Sequence, residues 1–94
     1  MSRIFIILVF ISTCLQAEPT MRIFVSNERS NSISVINGSS LEVEATIDIG
    51  KRPRGIGLSP DGTELYVAVS DEDAIAVVDP VTLKILRKFK SGSD

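Results

Sequence analysis

Beyond position 20 the apolar residues of this chain come in short runs, each closed by turn-forming residues. Ile23-Phe24-Val25, Ile33 with Val35-Ile36, Val43 to Ile47, Ile56 with Leu58, Leu65 to Val69, Ala74 to Val78 and Ile85 to Phe89 alternate with segments rich in Gly, Pro, Asn, Asp and Ser. Nothing past the N-terminal segment sustains the helical spacing of apolar residues, and strands recurring at intervals of roughly 8–12 residues predict an all-β chain. The pattern inside each run is informative. Glu64 to Val69 is apolar at consecutive positions, which suits a strand covered on both faces. Lys84 to Lys90 alternates charge with apolar residues, which suits an outer strand with one face in water. Gly55 to Ser59 reads as a short inner strand whose glycines permit close backbone approach.

The runs repeat. With Ile23-Phe24-Val25 laid over Leu65-Tyr66-Val67, a shift of 42 residues, the register holds without a gap to the end of the chain. Ile33 meets Ile75, Val35 meets Val77, Asn37 meets Asp79, Leu41 meets Leu83, Ile47 meets Phe89 and Gly50 meets Gly92. A period of roughly 40–45 residues with four strands is that of one β-propeller blade. The spacing predicts a three-stranded first unit over residues 22–49, with strands at 22–26, 32–36 and 43–49. It predicts a full four-stranded unit over residues 55–90. Ser59-Pro60-Asp61-Gly62 carries Pro and Gly where a type I turn favours them.

The N-terminus has a different texture. Arg3 precedes Ile4 to Ile11, a run without a polar residue, and Ser12 to Ala17 lead to Glu18-Pro19. A basic start, a short apolar core and a small residue before the polar boundary describe a secretory signal, shorter than a bilayer-spanning helix. Residues 1–17 are therefore read as a signal peptide cut after Ala17, placing residues 18–94 in the periplasm or outside the cell. Two alternatives stay open. Thr13-Cys14 falls where a lipoprotein cleavage box would place its lipidated cysteine, although Thr departs from the residue usual there, and Met21 could start a shorter product.

Composition excludes several functions. The only cysteine is Cys14 and histidine is absent, so residues 18–94 can build neither a Ser-His-Asp nor a Cys-His site. They also lack the thiolate and imidazole ligands that transition metals favour. No catalytic, metal or cofactor-binding residue is assigned, and no cofactor is expected. The formal charge of −2 offers no general affinity for nucleic acid.

Phe24-Val25-Ser26-Asn27 with Ser34-Val35-Ile36-Asn37, and Leu65-Tyr66-Val67-Ala68 with Ala76-Val77-Val78-Asp79, resemble the YVTN-type β-propeller repeat. Gly50-Lys51-Arg52-Pro53-Arg54-Gly55-Ile56 followed by Leu58-Ser59-Pro60-Asp61-Gly62 is similar to a bacterial periplasmic subgroup, as is Val69-Ser70-Asp71-Glu72-Asp73. That subgroup comprises the propellers associated with pyrroloquinoline-quinone-dependent alcohol catabolism. The resemblance implies a closed ring of about seven blades, of which this sequence would be an N-terminal part. It also implies a function located at one mouth of the ring, in the loops between blades and between second and third strands. Lys51, Arg52 and Arg54 flank Pro53 in the inter-blade loop and are the candidates for gripping a carboxylate, a phosphate or an acidic protein. Asp71 and Asp73 lie in the neighbouring connection and stand either as ligands or as the countercharge of that basic loop. The expected role is a binding or scaffold module with a protein or small-molecule partner and self-association through exposed blade edges. The competing expectation is part of a propeller enzyme such as a lactonase, its catalytic residues in other blades.

Overall fold

The computed structural model describes residues 21–92, and the proposed signal peptide and Cys14 lie outside them. Seven strands run in chain order: β1 (Arg22–Asn27), β2 (Ser32–Asn37), β3 (Val43–Asp48), β4 (Pro53–Leu58), β5 (Leu65–Val69), β6 (Ala74–Val78) and β7 (Ile85–Lys90). They form two antiparallel sheets, β1-β2-β3 and β4-β5-β6-β7, each meandering in sequence order. The strands sit where the apolar runs place them. One difference is that β4 begins at Pro53 rather than Gly55, because Pro53 is buried and pairs with Val69 across an irregular stretch of ladder. The other is that Ser70–Glu72 closes into a single 3₁₀ turn where the sequence reads as an open connection.

The period of 42 residues is written into the backbone as well as the side chains. Three pairs of left-handed residues repeat at that distance: Asn31 and Asp73, Leu41 and Leu83, Gly50 and Gly92. So do the turn hydrogen bonds. The Leu41 amide donates to the Asn37 carbonyl at 2.8 Å and the Leu83 amide to the Asp79 carbonyl at 2.8 Å. A bulge at Val35/Ile36 recurs at Val77/Val78. Asn37 and Asp79 hold these turns in the same way. Asn37 Oδ1 accepts from the Ser39 and Ser40 amides, and Asp79 Oδ1 from those of Val81 and Thr82, so their polar groups favour the turn over continued strand.

The core lies between the sheets. Ile33, Val35, Ile47 and Ile49 of the first meet Leu65, Val67, Val69, Ala76 and Val78 of the second, with Phe24 and Leu83 at the margin. Residues two apart share a face of a strand, so each sheet commits one face to this joint. Polar ties finish it. Arg22 Nη1 reaches across to the carbonyls of Pro80 and Val81 at 2.7 and 2.9 Å, while its Nη2 pairs with Glu44. Ser26 Oγ donates to the Arg54 carbonyl at 2.9 Å, joining β1 to β4.

Candidate functional site

The turns at the two ends of the sheets differ in how their polar groups are used. At one end lie residues 38–42, 59–64 and 79–84. Beside Asn37 and Asp79, Asp61 accepts from the Thr63 amide, the Thr63 hydroxyl and the Ser59 hydroxyl. These hydrogen bonds hold the carboxyls of Asp61 and Asp79 below their ordinary range. At this end Asn37, Asp61 and Asp79 are satisfied within their own turns.

The other end gathers the β1–β2 loop, the inter-blade segment and the β5–β6 connection, and it holds the basic loop singled out from sequence. Arg52 is a non-glycine residue with φ of 59°, a conformation that persists only where neighbours determine it. Here the Arg52 amide donates to Asn31 Oδ1 at 3.0 Å, and its carbonyl accepts from the Ser70 amide and hydroxyl, both at 3.0 Å. The guanidinium donates through Nε and Nη2 to Glu28 Oε2 at 3.1 and 2.9 Å, and through Nη1 to Asp71 at 3.4 Å. Arg52 thus joins three segments from both sheets. The pairing lowers the Glu28 pKa and raises that of Arg52, the hydrogen bond between them being the largest cause of each.

Arg54 is placed differently. Its side chain is 59% exposed and approaches Glu28 only to 3.9 Å; among the described residues this is its one ion pair. It stands near the start of β4, whose remaining residues are also exposed. Lys51 contributes its backbone, the amide donating to Glu72 Oε2 at 2.9 Å. Glu72 also takes Lys88 Nζ at 2.9 Å, which together with the Lys51 amide lowers its pKa. Asp71 is tied to Arg52, whereas Asp73, at φ of 49°, supplies its carbonyl to the Ser91 amide. Beside them lies a cavity of about 530 Å³ lined by Asp71 to Ala74 and Lys88 to Lys90. Among the described residues no cluster of His, Cys, Asp or Glu is disposed to hold a metal ion.

The candidates therefore separate. Arg52 and Asp71 are brought together as a clip, Arg54 is presented outward, and Lys51 and Asp73 contribute through the main chain. Sequence reasoning missed the roles of Glu28, Asn31 and Arg22. Glu28 has no counterpart in the repeat, since Ser70 occupies the matching position, and no local pattern marks its reach to Arg52.

Comparison with known proteins bears on the architecture. No protein-family model matches the chain. A seven-bladed β-propeller protein of Mycobacterium tuberculosis is 51% identical over 43 residues, 46% of this chain and 11% of that protein. Kuenenia stuttgartiensis hydrazine synthase superposes with a TM-score of 0.72 at 25% identity, covering 77% of this chain and 20% of the other. The described chain is two consecutive β-propeller blades. The first has three strands, β1 to β3, and the second has four, with β4 as its innermost strand. Both comparisons span a small part of the longer protein.

Proposed function

We propose that these blades belong to a non-catalytic propeller module that binds an anionic partner, a protein or small molecule bearing carboxylates, at the end formed by the inter-blade loop. The observation that carries this reading is the contrast between the ends. One holds Asn37, Asp61 and Asp79 in its own turns, while the other presents the Arg54 guanidinium on a frame tied together by Arg52, Asn31, Ser70 and Glu28. A planar guanidinium on a fixed support suits two-point capture of a carboxylate. The apolar N-terminal segment supports export to the periplasm. The similarity of residues 50–62 and 69–73 to the quinone-associated subgroup supports a place beside oxidative alcohol catabolism.

Arg54→Ala tests the reading while sparing the clip. Binding of a fluorescent poly-glutamate peptide, followed by anisotropy at low salt, should weaken roughly tenfold, the effect of losing one charge-assisted contact of about 1.4 kcal/mol. Thr82→Ala at the opposite end should leave it unchanged. Equal binding by the wild type and Arg54→Ala would remove Arg54 from the site.

A further inference from the structure

The Arg54 guanidinium is presented outward, yet the place where it would receive a carboxylate is already taken. Glu28 Oε2 accepts from Arg52 Nε at 3.1 Å and from Arg52 Nη2 at 2.9 Å, and it lies 3.9 Å from Arg54 Nε. One carboxylate oxygen thus stands where two guanidiniums converge. It is held by the edge of Arg52 that an arginine ordinarily offers to an anionic ligand. Both arginines act on it. The hydrogen bond from Arg52 is the largest cause holding the Glu28 pKa below its ordinary range, and the charges of Arg52, Arg54 and Arg29 add to it.

The inter-blade loop does not depend on Glu28. The Arg52 amide is fixed by Asn31 Oδ1, its carbonyl by the Ser70 amide and hydroxyl, and its Nη1 by Asp71. Nor does the repeat ask for an acid at this position. Ser70 stands at the matching place in the second unit and bonds to main chain instead. The pair between Glu28 and Arg52 is exposed on both sides, and an ion pair so placed adds little to stability.

We propose that Glu28 is a tethered competitor for the anion site, occupying the position that an incoming carboxylate takes, so that the ligand binds by displacing it from Arg52 and Arg54. This rests on the reading of the inter-blade end as a site for carboxylates. The exchange makes and breaks only hydrogen bonds and ion pairs. The Glu28 side chain swings out to water, and the ligand takes over Nε and Nη2 of Arg52 together with the Arg54 guanidinium. Asp71 keeps Arg52 Nη1, so the clip stays closed on that side. Because Glu28 is attached to the chain beside its partners, it competes at a high effective concentration, which sets the ligand concentration at which the site fills.

Glu28→Gln removes the competing charge and keeps the length of the side chain. Followed by anisotropy with the fluorescent poly-glutamate peptide at low salt, the full chain carrying Glu28→Gln should bind about fivefold more tightly than the wild type, the effect of an exposed ion pair that no longer has to be broken. Glu42→Gln makes the same change in net charge at the opposite end and should give a smaller gain. The gain from Glu28→Gln should also shrink when Arg54→Ala is present. A Glu28→Gln protein that binds no more tightly than Glu42→Gln overturns the proposal, as does a gain of equal size with and without Arg54. Loss of the β-sheet circular dichroism in Glu28→Gln overturns it as well, since Glu28 would then be structural. If Arg54→Ala still weakens binding by the wild type in these cases, the anion site stands and only the competing role of Glu28 falls. If Arg54→Ala has no effect in either background, the site itself falls and the proposal with it.

Discussion

Gly50 and Gly57 show how differently two glycines can be fixed in one repeat protein. Gly50 has φ of 125°, and a Cβ there would lie 2.7 Å from Glu72 Oε2, 2.8 Å from Lys88 Nζ and 2.9 Å from Val69 Cγ1. The ion pair between Glu72 and Lys88 closes over the inter-blade crossing, and only a residue without a side chain fits beneath it. Gly57 meets nothing within 4 Å and has no unusual φ. Gly50→Ala should therefore destabilise the protein by about 1–3 kcal/mol. Gly57→Ala should be neutral or stabilising by up to about 1 kcal/mol, by restricting the unfolded chain. Urea denaturation of both variants checks the contrast. From sequence Gly50 follows a strand and Gly57 lies within one, and nothing local marks the lid over Gly50. Gly92, the repeat partner of Gly50, shares its positive φ, so the repeat carries this conformation forward. Arg52 and Arg54 divide in the same manner. Their types were legible as candidates for anion binding, but their fates depend on Glu28, which is distant in sequence and unmarked by any motif.

At the scale of elements, strand positions were legible because apolar runs and turn residues agree. Ser59-Pro60-Asp61-Gly62 closes as its residues require, the Gly62 amide donating to the Ser59 carbonyl at 2.9 Å. What escaped was the start of β4, since Pro53-Arg54 has the composition of a loop and is recruited into the sheet by tertiary pairing with Val69. The loops joining these elements are held by carboxylates, and that has a pH consequence. Glu28 and Glu64 are lowered chiefly by hydrogen bonds from Arg52 and Arg87, Glu72 chiefly by Lys88, and Asp61 and Asp79 by local hydroxyls and amides. A carboxyl whose pKa is lower when folded stabilises the protein above its ordinary pKa and ceases to do so as pH falls through the folded value. Melting temperature should therefore hold steady through neutral pH. It should fall below the ordinary values of 4.5 for Glu and 3.8 for Asp. Because these groups are exposed, added salt should shrink the contribution of the ion-paired glutamates while leaving that of Asp61 and Asp79, which rests on local hydrogen bonds. A melting temperature rising on acidification would contradict this.

For the molecule as a whole, the repeat period announced the architecture, and the joint between blades supplies its energetics. Ile33, Val35, Val67 and Val69 are fully buried only because two sheets of the same pattern face each other. Among the described residues, outside this joint only Val77 of the second sheet's large apolar residues is fully buried, so each sheet depends on its neighbour for most of its hydrophobic cover. Export and the partner's identity belong to this scale too, and strand patterning is silent on both. The packing of blade on blade is directly measurable by nuclear Overhauser effects between methyl groups in protein labelled at Ile, Leu and Val. Cross-peaks are expected from Ile33 and Ile47 of the first blade to Leu65, Val67 or Val69 of the second, alongside those between Ile33 and Ile47 within one sheet. Cross-peaks confined to each sheet, with none between the two sets, would contradict the two-blade fold.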